Sequence, residues 1–398
     1  MNRTPPLKAF RRLFIWWGAA LLLPLLWTSC QKDHEDPIPD PALRTIVMYM
    51  VPDNALYPFA LDNIEQIRQS WDDFDGNLVI YLDPPSDIPR MMHIKKGGSG
   101  QGMAEVIHQY PEQNSASPAV MQSIIQQAFS EFPSQKTALI LWGHGTGWLP
   151  PSTYTISKKM GLRDDAWHLP QGFVKSFGLD NNVEMSIPEL ESAIPPNLDF
   201  ILFDACLMGG VEVAYQLRNK TEYILASPTE ILGTGLPYNQ ILPMLFNPRV
   251  NLERIAELYY DFYNEQTDIY RSASIGLIRT AELENLASTV KNIVKDRSQT
   301  IRELNLSEVQ TLDRLYRHLF YDLGDFIRQI SSEQEYAVFE QQLNRTVLYK
   351  AATPYFVSIE MLHFSGLSCF IPQNQGNQFL IPYASLEWTK AIGLSTDL

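Results

Sequence analysis

The chain has 398 residues, enough for roughly two or three structural units and for a core that needs no disulfide staples. Hydrophobic residues make up 45% and charged residues 19%, a globular balance that excludes a disordered, collagen-like or polytopic membrane chain. With 31 Lys+Arg against 45 Asp+Glu the formal net charge is -14, so bulk binding to DNA or RNA is disfavoured and no nucleic-acid partner is expected.

Arg3, Lys8, Arg11 and Arg12 precede an apolar run from Leu13 to Trp27, and Thr28, Ser29 and Cys30 follow at once. A basic segment, an apolar segment and small residues ending on a cysteine make a secretory signal. It resembles a bacterial lipoprotein lipobox, with Trp27 where Leu is the usual choice. Residues 1–29 are therefore read as a signal peptide and Cys30 as the lipidated first residue of the mature chain. The apolar run is shorter than the roughly 20 residues of a spanning helix. Acyl chains contribute about 0.8 kcal/mol per buried CH₂, so several of them would hold the body stably to a membrane, outside the cytoplasm. Residues 30–43, with QKDHEDPIPDP at their centre, are acidic and proline-rich and read as a solvated tether. The cluster Lys32, Asp33, Glu35, Asp36 also resembles the acidic signals that send some Gram-negative lipoproteins to the cell surface. The expected location is the outer membrane.

From there, apolar runs of strand length alternate with helical stripes, a pattern that predicts an α/β fold with a mostly parallel sheet flanked by helices. Thr45 to Val51 reads as a strand buried on both faces, and Leu61, Ile64, Ile67 and Trp71 mark a helix. Asn77 to Leu82 predicts a second strand; a helix opening at Pro118 carries Val120, Ile124, Ala128 and Phe129; Thr137 to Trp142 predicts a third strand. Ser186 and Glu189 form a capping box with Pro188 in the first turn, followed by a strand over Asp199 to Phe203. A helix from about Gly209 to Leu217 and the run Tyr223 to Ala226 complete a first domain over residues 44–245. Beyond it, stripes such as Ile255, Leu258, Tyr259, Phe262 and Leu283, Leu286, Val290, Ile293 predict a helical region over residues 246–398. Strand-like runs return there at Tyr355 to Ile359 and Gly366 to Ile371.

In an open parallel α/β sheet the chemistry gathers beyond the carboxyl ends of the strands. Trp142 leads into Gly143, His144, Gly145, Thr146 and Gly147, and Phe203 leads into Asp204, Ala205 and Cys206. If these strands are neighbours joined by one right-handed crossover, an imidazole and a thiol project into the same cleft. His144 could take the thiol proton, a helix amino terminus at Cys206 would favour the thiolate, and the amides of Gly145 and Cys206 could hold a tetrahedral oxyanion. Cysteines are often core residues, and Cys369, inside an apolar run, is read as one. His93, His108, His168, His318 and His363 lack a glycine-flanked strand end.

The blocks Ala138 to Trp148 (ALILWGHGTGW) and Leu198 to Leu217 (LDFILFDACLMGGVEVAYQL) resemble the clostripain-like cysteine peptidases, which share the caspase-like fold. DNALYPFALDNIEQI, YDLGDFI and GLSCFIP add to the likeness, which spans most of the chain after the tether. The resemblance implies a His144/Cys206 dyad, peptide substrates cut after basic residues, and self-cleavage between the two blocks, for which Lys158, Lys159 and Arg163 are candidates. It also places Asp204 at the first substrate pocket. In ASPTEILGTGLPY, Ala226 to Tyr238, Thr229, Thr234 and Leu236 stand where acids or Trp are more typical. Charge selectivity is therefore expected to rest mainly on Asp204, with Thr234 neutral and Glu230 a substitute acid. No cofactor is expected: Asp164, Asp165 and Asp180 are chemically able to bind calcium, yet no EF-hand spacing supports it. Two readings stay open, a lipid-anchored cysteine endopeptidase and a surface binding lipoprotein on a catalytically idle peptidase scaffold.

Overall fold

The computed structural model describes residues 41–52, 55–98, 100–151, 185–315, 317–373 and 376–394. Strand β1 (Ala42–Val51) is followed by helix α1 (Tyr57–Ser70) and strands β2 (Gly76–Leu82), β3 (Arg90–Lys96) and β4 (Gly102–Gln109). Helix α2 (Pro118–Glu131) leads to β5 (Ser134–Gly143), and α3 (Ile187–Ala193) leads to β6 (Leu198–Asp204). Then come α4 (Val211–Gln216), β7 (Thr221–Ala226), α5 (Tyr238–Leu245), α6 (Leu252–Asn264), β8 (Ser274–Arg279) and α7 (Leu283–Val294). A short β9 (Tyr321–Asp322) and a long helix, Glu333–Thr346, precede β10 (Val347–Ala352).

Nine strands form one sheet in the order β10-β8-β7-β6-β5-β1-β2-β3-β4. The five central strands β7, β6, β5, β1 and β2 run parallel, and both flanks are antiparallel. Strand order reverses at β1, which lies between β2 and β5, so a crevice opens beyond the carboxyl ends of the neighbouring strands. Alternation along the strands feeds two cores. Val47, Tyr49, Leu139, Leu141, Ile201 and Phe203 face the layer with α2, α3 and α7. Ile46, Met48, Ile140, Trp142, Phe200 and Leu202 face α1, α5 and α6. Burial on both faces is why these strands read as unbroken apolar runs.

The capping box forms as expected: the Ser186 hydroxyl accepts from the Glu189 amide and the Glu189 carboxylate accepts from the Ser186 amide. Other expectations are corrected. On α1 the buried stripe is Ala60, Asn63, Ile64 and Ile67, while Leu61 is exposed. Strands β3, β4, β8 and β10 were not predicted from the sequence. β8 and β10 extend the same sheet from the region after residue 245. The run Tyr355 to Ile359 is a small antiparallel pair, Tyr355–Phe356 with Ile359–Glu360, and in the last run only Ser368–Cys369 pairs, with β9.

Candidate active site

β5 and β6 are parallel neighbours in a register that sets Trp142 opposite Asp204. His144 and Cys206 each follow by two residues, so the imidazole and the thiol leave adjoining strands at the same level. The two turns also touch. Gly147 has φ +58°, and a Cβ there would lie 2.8 Å from the Leu207 carbonyl oxygen and 2.6 Å from Cε1 of Phe320. Glycine supplies the left-handed conformation and lets the His144 turn rest on the Cys206 turn.

Cys206 does not sit at a helix amino terminus. β6 opens into a tight turn over residues 205–209 in which Leu207 has φ 60°, and α4 starts only at Val211 with Gly210 as its cap. A leucine in that conformation is strained by about 1–2 kcal/mol. The following segment holds it: Leu207 N–H donates to the Thr229 carbonyl at 2.7 Å, and Gly209 N–H to that of Ser227 at 2.8 Å. At Gly209 a Cβ would lie 2.5 Å from Pro228 N, so only glycine permits this approach. A backbone amide meets the sulfur instead: Ile231 N–H donates to Cys206 Sγ at 3.0 Å, and Sγ lies 3.6 Å from the Ile231 carbonyl oxygen. Sequence reasoning missed this contact, since a backbone group carries no residue signature.

Asp204 is fully buried, and its Oδ2 accepts from Leu236 N–H at 3.2 Å and from the Tyr238 hydroxyl at 3.0 Å. Burial, followed by the charge of Asp204, raises the Tyr238 phenol well above its ordinary range. Thr234 is exposed and its hydroxyl shares a 2.7 Å hydrogen bond with Tyr263. Glu230 is bidentate with Arg314, at 2.5 and 2.7 Å. Asn63 was also missed: it accepts from Trp142 Nε1 at 2.8 Å and donates to the Thr234 carbonyl at 3.1 Å, tying the end of β5 to the segment over Cys206. A polar residue on a buried helical stripe was its signal. Gly145 follows His144 directly. Lys158, Lys159, Arg163, Asp164, Asp165, Asp180 and Cys30 lie outside the described residues. Among the described residues, no group of three His, Cys, Asp or Glu side chains could hold a metal ion.

Behind the Cys206 turn, Ser368 N–H donates to the Gly209 carbonyl at 3.0 Å, and Glu212 Oε1 accepts from Phe370 N–H at 2.8 Å. Burial pushes the Glu212 carboxyl up to about 7. Its proton is thus held in the folded chain to about pH 7, but in the unfolded chain only to about pH 4.5. The folded state binds more protons between those values, so stability falls as pH rises through that window, by on the order of 3 kcal/mol. Glu212→Gln keeps an acceptor for Phe370 and should flatten that decline, as urea unfolding at about pH 5 and about pH 8 would measure. An unchanged pH slope in the variant would assign the decline elsewhere. Cys369 is buried, and desolvation followed by the charges of Glu212 and Asp322 raises its thiol well above the ordinary range, which makes it inert.

A nine-stranded, mostly parallel sheet flanked by helices, with an imidazole and a thiol at adjoining strand ends, is the architecture of a caspase-like cysteine endopeptidase. The model of the clostripain family matches residues 48–397, and the chain belongs to that family. Clostripain from Hathewaya histolytica is 25% identical over an alignment of 230 residues that covers 50% of this chain and 41% of that protein, so the match spans under half of clostripain's length. An inactive zymogen C11 protease from Parabacteroides distasonis is 30% identical with a TM-score of 0.76, over 89% of this chain and 99% of that one. A secreted C11 cysteine protease from Bacteroides thetaiotaomicron, solved with an irreversible peptide inhibitor, is 29% identical with a TM-score of 0.73, over 88% and 99%.

Proposed function

We propose that this protein is a lipid-anchored, extracytoplasmic cysteine endopeptidase that uses Cys206 and His144 as its dyad and cuts after Arg or Lys. The observation that carries the dyad is the level placement of the two residues just beyond β5 and β6, with Gly147 packed on Leu207. His144 takes the Cys206 proton as sulfur attacks the scissile carbonyl, and the amides of Gly145 and Cys206 hold the oxyanion. The same imidazole then protonates the departing amine. Water, deprotonated by His144, releases the acyl group from sulfur.

Basic specificity needs a carboxylate, because a buried cation without a partner is strongly disfavoured. Glu230 adjoins Ile231 in sequence, and Asp204 accepts from Leu236 N–H at the far end of the same segment, so two acids border the loop over the thiol. Thr234 adds no charge, so Asp204 is the main determinant. Asp204→Asn keeps an acceptor for Leu236 and removes the charge; it should lower kcat/KM for Arg and Lys peptides by roughly 10- to 100-fold while sparing neutral ones. A library of peptides cut with the wild-type enzyme tests the reading. Cuts after acidic or apolar residues would overturn the pocket, and no cuts at all would favour an idle binding scaffold.

The basic, apolar, small-residue, Cys order supports lipidation, and a relative described as secreted supports an extracytoplasmic place. No helix among the described residues is long and apolar enough to cross a membrane. Cys30→Ala should move the protein from the membrane fraction to the soluble one. Mass spectrometry of a mature chain that starts elsewhere without lipid would reject this. Self-cleavage after Lys158, Lys159 or Arg163 would free the approach to the dyad, a role in keeping with a relative described as an inactive zymogen.

A further inference from the structure

Cys206 is 1% exposed, and the peptide of Ile231 lies against its sulfur through both N–H and carbonyl. An acyl carbon must reach bonding distance of that sulfur, so the Ile231 peptide has to move before any substrate can react. Its segment is fastened at both ends. On one side Ser227, Thr229 and Ser274 form a fully buried hydroxyl cluster with oxygens 2.8–3.2 Å apart. On the other, Leu236 bonds Asp204, and the Tyr263 hydroxyl donates to the Gly235 carbonyl at 2.6 Å. Between these anchors the polar side-chain tie beside Ile231 is Glu230, gripped by both arms of the Arg314 fork. The pair is largely enclosed, with 9% and 17% of the Arg314 and Glu230 side chains exposed. Arg314 itself is placed by its neighbour Asp313, whose carboxylate collects the amides of Leu315, Leu319 and Phe320 at 2.7–2.8 Å. Phe320 is also the ring against Gly147, in the turn that carries His144.

We propose that the Arg314–Glu230 ion pair is a latch that holds the Ile231 peptide over Cys206, and that a cationic substrate side chain opens it by taking Arg314's place on the Glu230 carboxylate. The exchange half rests on the reading of the site as a peptidase of basic preference. Its physics is a swap of like for like. An incoming guanidinium or ammonium keeps Glu230 paired and leaves one enclosed charge, Arg314, to be resolvated, whereas a neutral side chain would leave both enclosed charges without their partners. The latch therefore opens for the substrates the pocket prefers, and its coupling to the thiol is a shift between closed and open populations.

The test needs no turnover. Purified full-length wild type, Arg314→Ala, Arg314→Lys and Glu230→Gln are treated with iodoacetamide, and Cys206 modification is followed by peptide mass spectrometry. Arg314→Ala and Glu230→Gln should label about tenfold faster than wild type and Arg314→Lys at an intermediate rate, since a lysine keeps the charge but not the fork. Labelling at the wild-type rate in all cooperatively folded variants overturns the latch, and Arg314→Lys keeps the test alive if an alanine variant fails to fold. For the exchange half, the ratio of kcat/KM for Arg over Leu peptides should fall in Arg314→Ala, because neutral substrates no longer meet a closed latch; an unchanged ratio overturns that half. Absence of peptide hydrolysis in the wild type would remove the peptidase reading but leave the labelling result to decide the latch.

Discussion

Cys206→Ala and His144→Ala should each lower kcat for peptide hydrolysis by roughly 10⁴-fold or more, with no loss of cooperative unfolding. The two side chains act as one chemical unit, so the double variant should lose little beyond either single one. Removing the sulfur leaves no nucleophile. Removing the imidazole leaves a thiol without a base and a departing amine without an acid. Stability should change little, because β5 and β6 stay paired over Ala138 to Trp142 and the turns keep their backbone bonds. Steady-state assays beside urea unfolding check both halves, and a His144→Ala enzyme with wild-type kcat would remove His144 from the mechanism.

Gly147→Ala should cost roughly 100-fold in kcat although residue 147 has no reactive group. Its backbone is left-handed, which burdens any residue with a Cβ by about 1 kcal/mol or more. The added carbon would also meet the Leu207 carbonyl and the Phe320 ring, both well inside van der Waals contact. Backbone oxygen cannot step aside cheaply, so the His144 turn must lift from the Cys206 turn. Displacement of an ångström between a base and its nucleophile accounts for the loss. Alanine at Gly98, where the space is open, serves as the control and should be silent. If Gly147→Ala turned over normally, the contact between the turns would not be what aligns the dyad.

The central sheet was legible because its strands are buried on both faces and stand out as apolar runs, as in Thr45 to Val51 and Thr137 to Trp142. The position of His144 and Cys206 just beyond adjoining strands was legible too, because the apolar runs that mark β5 and β6 end immediately before them. The flanking strands were not. β4 lies at an edge with Met103 and Val106 exposed, and β10 at the other edge has one buried residue, so neither carries a full apolar pattern. β8 is apolar enough, but it sits between helices whose periodicity dominates that stretch. The placement of Cys206 at a helix start failed because nothing in DACLMGG announces a left-handed leucine. Arg314 and Glu230 are 84 residues apart, and the Ile231 amide is backbone; neither contact has a local sequence signal.

The most direct test is covalent. A peptide ending in a basic residue and carrying a thiol-directed irreversible group is incubated with the purified protein, and the modified residue is found by mass spectrometry. The geometry predicts label on Cys206, blocked by Cys206→Ala, strongly slowed by His144→Ala and untouched by Cys369→Ala, since Cys369 is buried with a raised thiol pKa. Label on Cys369 alone, or peptide hydrolysis that continues with Cys206 replaced, would contradict the assignment of Cys206 as nucleophile.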